Sequence, residues 1–391
     1  MGKAPLDRGA LERVLLPSGR GRLLPREAYT SPAVLDWEMQ SLFAGSWVCV
    51  GRADELKHVG DQKGVRIGRD SLLLVRGVDA SLRAFWNVCR HRAHELLQHG
   101  ECTNDRLVRC PYHGWTYELD GRLHPSVKAS HAPGFDPSGE GLVGARVHEW
   151  RGFVFVNASG DAPDFLSWIG DLEELAAPYE TERLRVGASH AYEIAANWKL
   201  AIENYEECYH CPRIHPELCR VSPPESGDDN PPRRGAFIGG PMDLMAHAAT
   251  MSMDGRSEGV VLRGVTGKLL RQVHYYSLVP NLLLSFHPDY VMTHRLVPLS
   301  PDRSFIECQW LFPEEALSRP GFDPKYAVEF WDVTNQQDWR AVESVQRGIG
   351  SRGYVPGTVI PEEDAVRQFV SCIARAYLDG RFQPAGQPAA A

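Results

Sequence analysis

Two short clusters of cysteine and histidine lie in the first third of the chain, within the stretch NVCRHRAHELLQHGECTNDRLVRCPYHGW. The first contains Cys89 and His91 and the second Cys110 and His113, so the pattern is C-x-H, 18 residues, then C-x2-H. Cysteine thiolates and neutral imidazoles are ligands for zinc and for iron–sulfur clusters. The spacing therefore predicts a metal centre in this segment.

The distribution of residue types separates the two kinds of metal centre. Small zinc fingers usually take two cysteines from one cluster and two histidines from the next, whereas each cluster here supplies one of each. In a Rieske [2Fe–2S] centre, two cysteines hold one iron and two histidines hold the other. Such a centre has a potential of about −150 to +300 mV, which suits electron transfer from a flavin or ferredoxin-type donor. The pattern favours a Rieske centre, and a zinc-braced binding protein without activity is the alternative.

Length, charge and cysteine count limit the class of protein further. The 391 residues suit two or three domains, and the net charge is −8. We find no basic run interleaved with aromatic residues, as nucleic-acid binding would favour, and no apolar run of the ~18–20 residues that span a bilayer. Nine cysteines without an export signal favour thiols or metal ligands over a disulfide framework. We expect a cytoplasmic protein with neither nucleic acid nor membrane as a partner.

Hydrophobic patterning predicts an α+β fold in four segments. Strands and helices mix in the second half without βαβ alternation, which is typical of an antiparallel sheet with helices. An Asp-Gly pair at 120–121 predicts a hairpin turn in the first half. The predicted segments are an N-terminal arm with one short helix over 1–40 that packs on the larger domain, an all-β domain over 41–160, an α+β domain over 161–380 and a disordered tail over 381–391.

Within the larger domain we predict four helices and one mobile loop. The loop is the stretch 222–240, which is rich in proline, glycine and charge. The predicted helices cover 164–179, 197–210, 324–347 and 361–379.

The segments CRHRAHEL and CPYHGWTYELDGRL resemble the Rieske domain in the catalytic alpha subunit of the Rieske non-haem iron oxygenases. The resemblance extends over about residues 25–380. It implies an all-β Rieske domain followed by a helix-grip-like catalytic domain. It also implies one [2Fe–2S] cluster and one mononuclear Fe²⁺ per subunit.

The stretch NWKLAIENYEECYHCPRIHPE is similar to the mononuclear-iron motif of that family, beginning with its Asn-Trp-Lys. The resemblance implies that His210 and His215 bind iron, since oxygen-activating Fe(II) takes two histidines and one carboxylate on one face. Glu207 and His210 are three residues apart and would share a helix face. We expect Pro212 to end that helix and to turn the chain, which brings His215 back beside His210.

The third ligand is expected from the late stretch FWDVTNQQDWRAVESVQRG. The family places its aspartate shortly before a glutamate and a VQRG-like end, which favours Asp338 over the alternative Asp332. Two other interpretations of the CYHC segment remain open, namely a redox dithiol formed by Cys208 and Cys211, and a zinc site that combines these cysteines with the histidines. A third is that His210 is simply a buried core residue.

The resemblance also implies how electrons reach the iron. In the family they pass between neighbouring subunits of a head-to-tail ring, usually a homotrimer, through a carboxylate three residues before the first iron histidine. That position is Glu207, so the implied route is His113, Glu207, His210 and iron. Without a G-x-G-x-x-G dinucleotide motif, the chain should receive NAD(P)H electrons only through a separate flavin and iron–sulfur reductase. A solvated helix carboxylate is the alternative role for Glu207.

Glutamate instead of the more common aspartate at this position is similar to family members that oxidise quaternary ammonium compounds. We therefore predict N-demethylation of a betaine-like or other methylamine compound, with ring hydroxylation of an aromatic acid as the alternative. A Rieske electron-transfer protein without oxygenase activity is a rival of another class. An aromatic cage could hold a trimethylammonium group, although strand alternation allows only one of Tyr275 and Tyr276 to face it. The aromatic candidates are Tyr275, Tyr276, Phe286, Tyr290, Trp310 and Phe312.

Overall fold

The computed structural model describes residues 2–128, 133–227 and 230–384. The chain divides into two compact units, of which one is Phe43–Pro163 and the other combines Met1–Leu42 with Asp164–Ala391. Most of the predicted disordered tail, from 385 onward, lies outside the described residues. No described helix combines the length and apolar character that crossing a membrane requires.

The smaller unit is built from antiparallel β-strands, as predicted. Its main sheet has the order β1-β9-β8-β4-β3-β2-β5, and β6 and β7 form a separate hairpin. The strands are β1 Val48–Arg52, β2 Asp61–Ile67, β3 Asp70–Arg76, β4 Leu82–Trp86, β5 Cys102–Asn104, β6 Val108–Arg109, β7 Thr116–Tyr117, β8 Gly144–Trp150 and β9 Phe153–Asn157.

The predicted Asp-Gly turn is confirmed just after β7. Tyr117 forms a bridge with Leu123 across the turn, and Gly121 has a φ of 88°. A Cβ atom at Gly121 would lie 2.5 Å from the ring of Phe85. Glycine is therefore required both by the left-handed backbone and by the close approach of the core.

The larger unit contains the predicted antiparallel sheet, in the order β10-β15-β14-β13-β12-β11. The α+β class is thereby confirmed. The strands are β10 Leu184–Ile194, β11 Phe237–Asp243, β12 Gln272–Leu278, β13 Leu282–Phe286, β14 Val291–Ser300 and β15 Arg303–Pro313. The α-helices are α1 Arg8–Val14, α2 Glu27–Thr30, α3 Pro32–Trp37, α4 Phe165–Ile169, α5 Leu172–Ala176, α6 Trp198–Tyr205, α7 Cys211–Ile214, α8 Pro216–Val221, α9 Glu314–Leu317, α10 Lys325–Gly350 and α11 Asp364–Asp379.

Three predictions about these elements were wrong in detail. The arm has three short α-helices and a π-helical turn over Glu38–Phe43 where one helix was expected. The helix predicted over 164–179 is broken at Gly170, whose φ of 55° cannot continue a helix. The loop predicted over 222–240 includes the first residues of β11, because its last residues, from Phe237 onward, pair with β12.

The Asn-Trp-Lys segment begins α6 and fixes its position in the core. The side chain of Asn197 accepts a hydrogen bond of 3.1 Å from the backbone N–H of Lys199 and so caps the helix. Lys199 itself is fully buried and forms an ion pair of 2.6 Å with Glu38 of the arm. Trp198 donates its indole N–H to the same carboxylate over 2.9 Å. These partners satisfy a charge pair that would be costly to bury alone.

Candidate functional site

The four residues of the predicted Rieske centre lie on two loops of the smaller unit. Cys89 and His91 follow β4, whereas Cys110 and His113 lie between β6 and β7. The loops have the same hydrogen bonds: each cysteine N–H donates to the carbonyl five residues later, over 2.9 Å at Cys89 and 2.7 Å at Cys110. Each cysteine carbonyl also accepts from the N–H four residues later. Two equivalent loops thus present one cysteine and one histidine each.

The cysteines of these loops are buried, with 2% and 3% of their surface exposed, whereas both histidines are exposed. The rings of His91 and His113 approach each other with centroids 4.7 Å apart. Trp115 stacks on His91 at 4.9 Å, and the Tyr117 hydroxyl lies 3.3 Å from the sulfur of Cys89. Aromatic side chains therefore contact both candidate ligands of the first loop, the histidine through Trp115 and the cysteine through Tyr117.

This arrangement fits a cluster with sulfur ligands inside and imidazole ligands outside. Cys89 and Cys110 are close enough to interact, and they are not joined as a disulfide. Burial and the neighbouring Cys89 raise the pKa of the Cys110 thiol. A bound metal offsets this cost, because it stabilises the thiolate directly.

The predicted iron ligands of the larger unit lie in a turn and not on a continuous helix. Helix α6 ends at Tyr205, so Glu207 and His210 do not share a helix face, contrary to the prediction. The two side chains nevertheless meet. The carboxylate of Glu207 accepts the backbone N–H of His210 at 3.0 Å through one oxygen and contacts the Nδ1 of His210 through the other. Because the chain turns between these residues, Glu207 and His210 meet although they are not in one helix.

Pro212 acts differently from the prediction as well. It lies in the first turn of α7, which begins at Cys211 just after His210. Proline is tolerated there because the first N–H groups of a helix have no partner within the helix. His215 follows α7 and precedes Pro216 at the start of α8. The single turn of α7, which contains Pro212 and is followed by Pro216, therefore reverses the chain and places His215 beside His210.

The side chains of His210, His215 and Asp338 converge. The Nε2 atoms of the two histidines lie 3.1 Å apart, and Asp338 Oδ1 lies 2.8 Å from His215 Nε2 and 3.5 Å from His210 Nε2. Adjacent donors of a metal with bonds of about 2.1 Å at right angles would be about 3 Å apart. When both histidines carry their proton on Nδ1, the two Nε2 atoms are acceptors that cannot bond to each other, whereas a cation accepts both lone pairs. The three residues fit a mononuclear iron on one face.

Both histidines are held from their far side. His215 Nδ1 lies 2.7 Å from Gln337 Oε1, and Gln337 in turn donates to Glu217 over 3.2 Å. Glu207 has the same role at the Nδ1 of His210. A proton on each Nδ1 leaves each Nε2 available for a metal. Sequence reasoning missed Gln337, although its position directly before Asp338 was a signal.

Charge favours the same assignment. Burial lowers the pKa of His210, but hydrogen bonds to Asp338 and Glu207 more than offset it and raise that pKa to about 9. Burial raises the pKa of Asp338, yet hydrogen bonds to the two histidines produce a net lowering. The site thus holds an ionised carboxylate and attracts positive charge.

The alternatives left open by the sequence are resolved in part. Asp332 accepts hydrogen bonds from Tyr192 at 2.6 Å and Gln336 at 2.7 Å, and it is not part of the converging group. Cys208 and Cys211 form a disulfide, the only one among the chain's nine cysteines, all of which lie in described residues. Their sulfurs are therefore not available as zinc ligands.

A cavity of about 80 Å³ opens beside the converging side chains. Its walls come from the turn after α6, from β11 and β12, and from α10. Trp331, Thr334 and Asp338 line it from α10, since their spacing of three and four residues places them on one helix face.

Three aromatic rings line this cavity, namely Tyr205, Tyr275 and Trp331. Tyr275 meets Tyr205 edge to face at 5.9 Å and Trp331 at 6.1 Å. Tyr276 points to the opposite face of β12, as strand alternation predicted, and packs against Phe237. Of the six aromatic candidates, only Tyr275 is among the described lining residues. Tyr205 and Trp331 were missed because their place on the cavity depends on the end of α6 and the rotation of α10.

Each of the two units contains a segment that matches a known family. Residues 46–135 match the Rieske [2Fe-2S] domain, and residues 181–379 match the ring hydroxylating alpha subunit (catalytic domain). The glycine betaine monooxygenase oxygenase subunit of Chromohalobacter salexigens is 33% identical and aligns over 85% of this chain and 81% of its own length. The carnitine monooxygenase oxygenase subunit of Escherichia coli is 33% identical over 84% of this chain and 87% of its own.

Solved structures show the same fold. The quaternary ammonium Rieske monooxygenase CntA in complex with L-carnitine superposes with a TM-score of 0.75 and 26% identity, over 96% of this chain and 100% of that chain. Naphthalene 1,2-dioxygenase from Rhodococcus sp. superposes with a TM-score of 0.73 and 19% identity, over 97% and 99% of the two chains. The second likeness is one of fold alone.

Proposed function

This chain belongs to the Rieske non-haem iron oxygenases as a catalytic alpha subunit, and we propose that it removes an N-methyl group from a betaine-like or other methylamine compound. One observation carries the proposal. The side chains suited to iron open into a small cavity lined by three aromatic rings and by carboxylates, with no lysine or arginine among its described lining residues.

The aromatic walls support a cationic substrate. Tyr205, Tyr275 and Trp331 line the cavity, and the faces of aromatic rings attract quaternary ammonium groups. A trimethylammonium head and a benzene ring are of similar size, so the aromatic lining and its charge, and not the cavity volume of about 80 Å³, separate the two substrate classes.

The charge of the lining also separates this proposal from hydroxylation of an aromatic acid. Glu206, Glu207 and Asp338 line the cavity. A carboxylate that entered the cavity would meet these negative groups without a basic side chain to hold it, and like charges repel strongly at short range in a buried site, so a betaine would enter by its ammonium end, which an aromatic acid does not have. A quaternary ammonium meets the opposite sign.

We assign Cys89, His91, Cys110 and His113 to the cluster, and His210, His215 and Asp338 to Fe²⁺. When bound, the cluster would supply electrons singly and the iron would activate O₂. Gln337 and Glu207 hold the iron histidines in position. The aromatic walls hold the ammonium group so that a methyl carbon points toward the triad.

The overall reaction balances with two electrons from a reductase. One oxygen atom of O₂ enters a C–H bond of the methyl group, and the other leaves as water with two protons. The resulting N-hydroxymethyl compound breaks its C–N bond, releases formaldehyde and one proton, and leaves the tertiary amine.

We propose that electrons reach the iron from a neighbouring copy in a homotrimer. Two observations support this role for Glu207: its carboxylate is bonded to His210, and 13% of its side chain remains exposed, which leaves surface for a partner to contact. A charge-assisted hydrogen bond from a cluster histidine of the next subunit would complete the route. The CntA structure, whose description names inter-subunit electron transfer, supports this arrangement.

Iron counting and a substrate panel test the proposal. The oxygenase should contain about three irons per chain, two in the cluster and one mononuclear, and should be coloured. An electron-transfer Rieske protein would contain two irons, and a zinc-braced protein would be colourless. With a reductase and NAD(P)H, quaternary amines should release formaldehyde in a 1:1 ratio to the demethylated product. Hydroxylated aromatic acids without formaldehyde would overturn the proposed reaction.

A further inference from the structure

Glu206 is a buried carboxylate in the wall of the cavity for which the roles assigned above give no use. It follows α6 directly, lines the cavity, and is only 7% exposed. Its Oε1 atom has no hydrogen-bond partner among the described residues. The hydroxyl of Tyr275, in the wall formed by β12, is likewise buried without a partner in the described part of the chain.

A buried carboxylate with one unpaired oxygen is unusual because the loss of hydration is only partly compensated. Burial outweighs the hydrogen bonds from the side chain and backbone of Ser277 and raises the pKa of Glu206 to about 7. The other carboxylates of the cavity are engaged. Glu207 is bonded to His210 through both oxygens, and Asp338 contacts both histidines.

We propose that Glu206 binds the ammonium group of the substrate and determines specificity for a positive charge. The inference rests on the proposed function and deepens it, since the aromatic rings select shape and methylation whereas the carboxylate selects charge. Tyr205 and Tyr275 line the same cavity as Glu206 and contact each other edge to face, with ring centroids 5.9 Å apart, so they form one continuous aromatic wall beside the carboxylate. Glu206 is thus a substrate-binding residue and not an iron ligand or an electron bridge.

Binding to matched pairs of ligands separates charge from shape. Glycine betaine is compared with 3,3-dimethylbutanoate and choline with 3,3-dimethylbutan-1-ol, in which carbon replaces the ammonium nitrogen. Dissociation constants are measured calorimetrically on the anaerobic holoenzyme. The wild type should bind at least one ammonium compound more tightly than its carbon isostere. Glu206→Gln should weaken that compound at least tenfold and should change the isostere less than twofold.

Two further variants show whether the effect depends on the negative charge at Glu206 or follows from the loss of a buried carboxylate elsewhere. Glu206→Asp keeps the charge and should keep part of the preference. Glu203→Gln removes another buried carboxylate of α6, which accepts a hydrogen bond of 2.8 Å from Tyr29 and is not among the described lining residues. It should leave the preference unchanged. Iron content and the visible spectrum report whether each variant is folded and loaded.

The outcomes distinguish a failure of the role of Glu206 from a failure of the proposed N-demethylation. If the wild type demethylates and prefers ammonium ligands but Glu206→Gln retains the preference, the role of Glu206 is wrong and the proposed function stands. An equal loss of affinity for the ammonium compounds and for their carbon isosteres would also overturn the role of Glu206, since it would indicate a change in the shape of the cavity. If the wild type neither binds nor demethylates any ammonium compound, both proposals fail.

Discussion

At the scale of single residues, the orientation of each histidine decides what the candidate iron site can bind. Glu207 and Gln337 hold the Nδ1 atoms of His210 and His215, and the two Nε2 atoms face Asp338. Outer partners of this kind set the tautomer and the direction of a metal ligand. The site therefore depends on five side chains, of which three would touch the metal.

Asp338→Asn and Asp332→Asn form a matched pair that tests the third ligand. The first change should lower iron from about three to about two per chain, because an amide is a poor substitute for the anionic ligand. Activity should be lost while the visible spectrum of the cluster remains. The second should retain all iron, since Asp332 is bonded to Tyr192 and Gln336 away from the site. The reverse result would make Asp332 the ligand.

Glu207→Gln tests the electron bridge. Glutamine keeps an oxygen for the Nδ1 of His210 but removes the charge, so both metals should stay bound. Reoxidation of the reduced cluster in single-turnover experiments should slow by about 10–100-fold, the usual effect of losing an outer partner. Glu217→Gln is the control, because it removes a neighbouring charge that contacts Gln337 and not His210. Equal rates of cluster reoxidation in Glu207→Gln and Glu217→Gln would exclude Glu207 as the electron bridge.

The sequence identified these ligand positions better than it identified their surroundings. The resemblance to the family indicated His210, His215 and Asp338 as candidate iron ligands, and the structure brings these three side chains together. Glu206 and Trp331 could not be predicted, since glutamate and tryptophan have many other roles, and the only signal for Gln337 was its position directly before Asp338. Their function becomes visible only when their neighbours are known.

At the scale of secondary-structure elements, turns decide how the site is built. The helical pattern continues past Tyr205, but the helix ends there and a turn and α7 follow. Periodicity cannot locate such an end, because tertiary contacts override local propensity. The strands of the larger sheet were easier to predict, since turn residues separate them.

Gly170→Ala and Gly348→Ala should have opposite effects on stability. Gly170 has a φ of 55°, and a Cβ atom would lie 2.2 Å from the carbonyl oxygen of Arg234. Alanine there should destabilise the protein by about 1–3 kcal/mol. Gly348 lies exposed in α10 with open space around it, so alanine should stabilise by up to about 1 kcal/mol.

Thermal and urea unfolding measure both glycine variants against the wild type. A neutral Gly170→Ala would show that the break between α4 and α5 tolerates a side chain. A destabilising Gly348→Ala would show that this face of α10 is covered in the assembled protein.

At the scale of the whole molecule, buried histidines couple the fold of the larger unit to pH. Burial lowers the pKa of His274 to about 4 and that of His287 to about 3. Both are therefore neutral in the folded chain at pH values where the unfolded chain is protonated. His287 packs within an aromatic cluster, stacked on Tyr290 at 4.1 Å.

The folded state should therefore lose stability as the pH falls below about 6.5 toward 4, because the unfolded state binds more protons in that window. Each such histidine contributes about 2 kcal/mol of loss at pH 5 if its unfolded pKa is ~6.5. His287→Phe keeps a ring against Tyr290 and removes the titration. The difference between urea unfolding free energies at pH 7 and pH 5 should shrink by about that amount relative to the wild type. Acid lability of the metal centres affects both proteins alike and cancels in this comparison, so an unchanged difference would mean that His287 is not the group that titrates.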